Sequence, residues 1–172
     1  MRNSTGKYGK RWRPDCAGAK EQTLTRIALD ALGGQQLAVE ITGEGQAIVA
    51  IHGFTGNAST WAAFCKAARS EYAIVCPDMP GHGASDSPNN PQIYDMEHSV
   101  RSLEELLVRL KLQRVHWLGY SMGGRIALAA AIALPERTAS LTLESASPGL
   151  ASAEERAARA GFRTDQASPR LR

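Results

Sequence analysis

Cysteine is scarce in this 172-residue chain, and its scarcity excludes two classes of protein. Cys16, Cys65 and Cys76 are odd in number and show no C-x-x-C spacing, which argues against a disulfide framework and against a zinc site. Cys65 and Cys76 read instead as small buried hydrophobes. Long apolar runs are also missing. No stretch reaches the ~18 residues of a membrane span, and the N-terminal arm lacks the continuous apolar segment of a secretory signal. Positive charge is thin outside that arm. The formal net charge is +3, but Arg2, Lys7, Lys10, Arg11, Arg13 and Lys20 face only Asp15 in the first twenty residues, leaving 14 basic and 16 acidic groups elsewhere. The folded part therefore offers no basic face for nucleic acid, and residues 1–23 are expected to be a disordered, solvated extension. A cytoplasmic protein without a membrane span or a nucleic-acid partner is the expectation. Internal repeats and low-complexity segments are absent as well.

What is present is an alternation of strand and helix patterns, in a chain that is 43% hydrophobic and long enough for one domain with a core. "TRIALDA" and "QQLAVEITG" alternate in polarity and are separated by Gly33 and Gly34, which predicts an opening hairpin. "AIVAIHG", "YAIVCPD", "RVHWLGY" and "ASLTLES" are short and nearly continuously apolar, as strands of a parallel sheet buried on both faces should be. Helical patterns lie between them. "STWAAFCKAARS" is one, and "YDMEHSVRSLEELLVRLKL" is clearer, with Val100, Leu103, Leu106, Leu107 and Leu110 on one stripe. "GGRIALAAAIAL" is apolar on all sides, which predicts a central helix pressed against the sheet. The expected fold class is α/β, a mostly parallel sheet with flanking helices.

The chemistry is expected where "VHWLGY" gives way to "SMGGRIAL". In Gly119-Tyr120-Ser121-Met122-Gly123 the glycines remove Cβ atoms where a strand must reverse abruptly into a helix, and such a turn lifts the serine hydroxyl above the strand ends. The helix start behind Ser121 adds free N–H groups and a positive dipole end, both favourable to a developing oxyanion. A tight structural turn is the bland alternative. The apolar strand before Ser121 and the apolar helix after it are the context that a nucleophile elbow requires. A second loop, "HGFTGN", follows the third strand, where such folds take their other oxyanion donor. The backbone N–H groups of Phe54 and Met122 are the expected pair. His52 reads either as a brace for that loop or as a base, with the brace favoured, and His82 in "PDMPGHGASDSP" as a residue that shapes its own loop.

The set "HGFTG", "DMPGHGASD" and "GYSMGG" resembles the α/β-hydrolase superfamily over residues 24–147. A narrower resemblance lies in "GYSMGGRIAL" followed by "ESASPGLASAEERAAR", which is similar to the 2-succinyl-6-hydroxy-2,4-cyclohexadiene-1-carboxylate synthases of menaquinone biosynthesis. That resemblance implies a lyase on a hydrolase fold. Its serine, made basic by histidine and aspartate, takes a proton from a succinyl-cyclohexene substrate, and pyruvate is eliminated without metal or organic cofactor. The implied substrate is a small polycarboxylate, for which arginine's planar fork is suited. Arg125, just inside the helix after Ser121, and Arg159 match substrate-binding arginines, and Tyr120 is a pocket wall. Arg159 also fits a plain solvated helix, with Glu155 four residues before it.

In this fold the triad runs Ser, then Asp or Glu, then His. Here His52, His82, His98 and His116 all precede Ser121 and no histidine follows it. The expectation is a C-terminally truncated member, with residues 148–172 as the start of a cap helix and an irregular tail, lacking the triad Asp and His. Such a chain is expected to be inactive alone. General ester or C–C bond hydrolysis, and a non-catalytic fragment, stand as alternatives.

Overall fold

A computed structural model of the chain describes residues 23–149 and 152–158. The basic extension apart from Thr23, Cys16, Arg159 and most of the expected cap segment lie outside the described residues. Six strands form one sheet: β1 (Thr23–Ala28), β2 (Gln36–Thr42), β3 (Gln46–Ile51), β4 (Tyr72–Pro77), β5 (Val115–Tyr120) and β6 (Thr138–Glu144). Three helices connect them, α1 (Ala62–Ala68), α2 (Met96–Arg109) and α3 (Met122–Ala133). The spatial order is β1-β2-β4-β3-β5-β6. β1 and β2 form the expected antiparallel hairpin, β2 pairs antiparallel with β4, and the β4-β3-β5-β6 part is parallel. The class is as expected, and β4 and β3 hold the two central positions of the sheet.

Each helix forms where its pattern allows. The Asp95 side chain caps α2 by accepting the His98 N–H at 2.7 Å, satisfying one of the orphan donors of the first turn. The stripe then buries Leu103, Leu106 and Leu107 against the sheet, while Val100 and Leu110 pack at its margin. Ser99 and Ser102 are buried on the same face without penalty, because their hydroxyls donate to the carbonyls of Asp95 and His98 at 2.8 and 2.7 Å. The expected first helix is shorter than "STWAAFCKAARS": it opens as a 3-10 turn, Ala58–Trp61, before α1.

Two apolar clusters lie on opposite faces of the sheet. α2 and α3 cover Val39, Val49, Val75 and Trp117 on one face, and Trp61 and Cys65 cover Ala50, Ile74 and Cys76 on the other. The Trp117 indole N–H is satisfied by the Thr138 hydroxyl at 3.0 Å. The expectation that every parallel strand is buried on both faces holds for β4 but not for β5 and β6. α1 packs against β4 and, through the turn before it, β3, so the residues of β5 and β6 on its side stay open. α3 likewise buries one face only, through Ile126, Ala127 and Ala130, and Ile132 is 73% exposed. Periodicity cannot show this, because which face is wet depends on the layer opposite. Among the described residues no helix is long and apolar enough to cross a membrane.

Among the described residues β6 pairs only with β5, through the register Leu141 with Trp117 and Leu143 with Gly119. An open strand edge is a template for pairing between chains, and the half-exposed Leu143 adds apolar surface to it. Leu143→Lys is expected to raise the concentration at which the purified chain self-associates about tenfold. Sedimentation velocity over a concentration series checks this. An unchanged profile would place self-association elsewhere.

Candidate active site

β5 ends at Tyr120, α3 begins at Met122, and Ser121 between them has φ 52° and ψ −110°. A non-glycine residue at positive φ is strained, and the surroundings show what enforces it. A Cβ at Gly119 would lie 2.4 Å from the Gly123 carbonyl oxygen, and one at Gly123 would lie 2.2 Å from that of Ile51. The two glycines thus let α3 start directly against the ends of β5 and β3. The Ser121 N–H donates to the Glu144 carbonyl at 2.9 Å, and its own carbonyl accepts from Gly124 and Arg125 at 3.1 and 3.3 Å. Its hydroxyl makes no capping hydrogen bond. The backbone is held from every side, therefore, while the side chain is left free of local work. Gly123→Ala forces a methyl group into the β3 backbone, so a loss of about 3 kcal/mol is expected in urea unfolding. A loss below about 1 kcal/mol would mean that α3 can step away from β3 at little cost.

The loop after β3 lies against this turn. A Cβ at Gly53 would sit 2.8 Å from the Tyr120 ring and 3.6 Å from the Ser121 Cβ, so Gly53 is the residue that lets the two loops meet. His52 fixes its course. The ring is fully buried; Nε2 accepts the Met79 N–H at 3.0 Å, which puts the proton on Nδ1, and Nδ1 donates to the Gly53 carbonyl at 2.7 Å. These bonds make His52 a brace rather than a base. They also orient the next amide, because in a trans peptide the carbonyl and the following N–H point in opposite directions. The Gly53 carbonyl and the Phe54 N–H belong to one peptide plane, so the bond from His52 sets the direction of the Phe54 N–H and polarises it.

Sequence reasoning missed the part played by His82 beyond its own loop. Its Nε2 lies 2.7 Å from the Phe54 carbonyl and its Nδ1 3.0 Å from that of Pro80. Its ring packs 4.9 Å from that of His52 and edge-on to Phe54. Asp78, also missed, anchors the same region from below: its buried carboxylate accepts the N–H groups of Ala58 at 2.6 Å and Ala84 at 2.8 Å. The signal available was the pair of motifs "HG" and "GHG", each following a strand end.

Burial pulls His52 below its ordinary value of 6.5; the Gly53 carbonyl opposes this, His82 adds to it and Asp78 opposes it. The neutral ring is thus favoured in the fold. Its contribution to stability is complete above the unfolded value and is lost as the pH falls below about 6.5 toward the depressed folded value. The carboxylates held down in the fold, Asp95 by the His98 N–H and side chain, and Glu105, where burial opposes the N–H groups of Ala31 and Asp30 and the Arg109 side chain, lose their contributions only at lower pH. Unfolding free energies from urea titrations are expected to fall more between pH 7 and 5 in the native chain than in His52→Gln. Parallel pH profiles would show that His52 does not titrate on unfolding.

The remaining expected site residues are placed as follows. Met122 is half-buried at the first position of α3, Tyr120 is 38% exposed with its ring over Gly53, and Phe54 is 73% exposed. Arg125 is exposed on the first turn of α3. Arg159 lies outside the described residues. The elbow and the Phe54 loop are therefore brought together. No histidine reaches Ser121: His52 and His82 are committed to the loops, His98 lies against Asp95, and His116 bridges Ser140 and Gln46.

A strand-turn-helix serine beside a braced loop from the neighbouring strand, on a sheet of this order, is the arrangement of an α/β-hydrolase fold. Residues 46–169 match the alpha/beta hydrolase fold family, and the chain belongs to it. Among curated proteins it is 40% identical, over 111 residues, to a Bacillus subtilis (strain 168) protein provisionally named 2-succinyl-6-hydroxy-2,4-cyclohexadiene-1-carboxylate synthase, covering 64% of this chain and 40% of that one. It is 33% identical over 112 residues to a pimeloyl-[acyl-carrier protein] methyl ester esterase of Aeromonas hydrophila, covering 65% and 42%. The chain thus spans about two-fifths of the length of these relatives. Of the solved structures, an α/β hydrolase from Novosphingobium aromaticivorans superposes with a TM-score of 0.71 at 24% identity, over 84% of this chain and 51% of that one. The epoxide hydrolase CorEH gives 0.71 at 23%, over 77% and 45%. Likeness at this identity shows the fold.

Proposed function

We propose that this chain carries the nucleophile and recognition half of a menaquinone-pathway lyase, which eliminates pyruvate to form 2-succinyl-6-hydroxy-2,4-cyclohexadiene-1-carboxylate. The observation that carries the reading is Arg125. It stands on the first turn behind Ser121, exposed and without an ion-pair partner among the described residues, in a chain 40% identical to the Bacillus subtilis protein of that name. A guanidinium unused by the fold beside a nucleophile suits a substrate rich in carboxylates. In this reading Ser121 is the catalytic base, the N–H groups of Phe54 and Met122 stabilise the developing oxyanion, Tyr120 forms a wall, and Arg125 and Arg159 bind carboxylates. Proton removal by Ser121 needs a histidine to take its proton, and the four histidines of this chain are engaged elsewhere. The chain alone is expected to be inactive.

The test joins residues 1–149 to the C-terminal portion of the Bacillus subtilis relative and follows pyruvate release from the succinyl-cyclohexene substrate with a lactate dehydrogenase couple. Pyruvate from the chimera and none from the chain alone supports the lyase. The methyl ester esterase relative supports a second reading, hydrolysis. Methanol release from a pimeloyl methyl ester without pyruvate release would replace the lyase with it.

A further inference from the structure

We propose that Cys65 and Cys76 form a two-cysteine oxidation site, at which a hydroperoxide closes an intramolecular disulfide between α1 and β4. The two Sγ atoms lie 3.7 Å apart, in direct contact, inside the cluster of Ala50, Ala58, Trp61 and Ile74. A disulfide holds its sulfurs at about 2.05 Å, so closure requires an approach of about 1.7 Å from the present 3.7 Å. The sequence excludes a disulfide framework by count and spacing, but contact in space brings together two cysteines that the spacing keeps apart.

The pair is chemically asymmetric. The contact with Cys76 draws the Cys65 thiol below the ordinary thiol range against the opposing effect of burial. Cys76 is pushed well above that range by the same contact, with burial adding to the rise. The thiolate is the nucleophile, so Cys65 attacks and Cys76 resolves. Cys65 is also the more open of the two, at 7% exposure against 1%. In the first step the Cys65 sulfur attacks one peroxide oxygen, the O–O bond breaks, and the departing hydroxide (or alkoxide from an organic hydroperoxide) takes up the proton given to solvent when the Cys65 thiol ionised, leaving a sulfenic acid and one water (or alcohol). In the second the Cys76 sulfur attacks the Cys65 sulfur, the S–O bond breaks, and the departing hydroxide takes the Cys76 proton as water. Two thiols lose two electrons in total, and the peroxide gains them.

The position of the pair gives the link a structural consequence. Cys76 stands two residues before Asp78, whose carboxylate holds the Ala58 N–H, and Cys65 stands on the helix that the Ala58–Trp61 turn leads into. The disulfide adds a second tie between β4 and the segment directly following the Phe54 loop. None of this depends on the lyase reading.

The test treats the full chain with hydrogen peroxide, blocks remaining thiols, and maps peptides with and without reductant. The expected result is a Cys65–Cys76 crosslinked peptide, the two thiols disappearing together with a loss of two hydrogens in intact mass, and recovery with dithiothreitol. The thermal midpoint of the oxidised chain is expected to rise by several degrees. Cys16→Ser should keep the product, and Cys65→Ala and Cys76→Ala should each abolish it. Over-oxidation of Cys65 beside a free Cys76 would overturn the proposal. So would crosslinks formed only between chains, or survival of both thiols while Cys16 is oxidised.

Discussion

Ser121→Ala is expected to lower pyruvate release by the chimera about 10⁶-fold, the size of loss that follows when a triad nucleophile is removed, and to leave folding nearly unchanged. Both halves of the expectation follow from the elbow. The Ser121 backbone is fixed by its N–H bond to Glu144 and by the Gly124 and Arg125 bonds to its carbonyl. Alanine keeps all three and meets the same positive φ with the same Cβ. The hydroxyl, by contrast, makes no capping bond and takes part in no other hydrogen bond among the described residues, so its loss costs the fold little. A side chain idle in the structure but held at a strained position is expected to do its work in the reaction. The measurement is the rate of the coupled assay beside a thermal midpoint. Activity within tenfold of the native value would remove Ser121 from the chemistry, whereas activity and midpoint falling together would make it a structural residue of the turn.

The elbow was legible because its requirement is local. Gly119 and Gly123 are demanded by backbone contacts within one strand-turn-helix, and a local demand leaves a local motif. The α2 stripe was legible for the same reason: one periodicity selects one buried face. Legibility ended where burial or bonding depends on distant chain. The strand order places β3 between β4 and β5, a choice made by crossover connections rather than by any strand's own residues. β6 reads as buried from its composition, yet most of it is exposed, because the helix on that side does not extend to it. His82 reads as a residue of its own loop, while the carbonyl it holds belongs to a residue 28 positions earlier. The Cys65 and Cys76 contact is of the same kind, joining a helix to a strand across a turn that neither motif records.

Arg125→Ala is the substitution that separates a lyase from a general esterase on this scaffold. The guanidinium stands on the first turn of α3, in the same turn whose start holds Ser121, and it is exposed without an ion-pair partner among the described residues. Its removal should therefore disturb the fold little and leave a single missing contact to read. One charge-assisted hydrogen bond to a carboxylate is worth about 1.5–3 kcal/mol, which is roughly 10- to 150-fold in kcat/KM for the polycarboxylate substrate. A neutral ester such as p-nitrophenyl acetate offers no carboxylate to lose, so its kcat/KM should change by less than about threefold. Arg125→Lys keeps the charge but not the planar fork, and is expected to recover part of the loss, since a bidentate contact is not replaced by a point charge. The assay is paired steady-state kinetics of the chimera and its two variants on both substrates. Equal losses on the charged and the neutral substrate would show an arginine that shapes the start of α3, and would favour an esterase whose pocket has no need of a carboxylate grip.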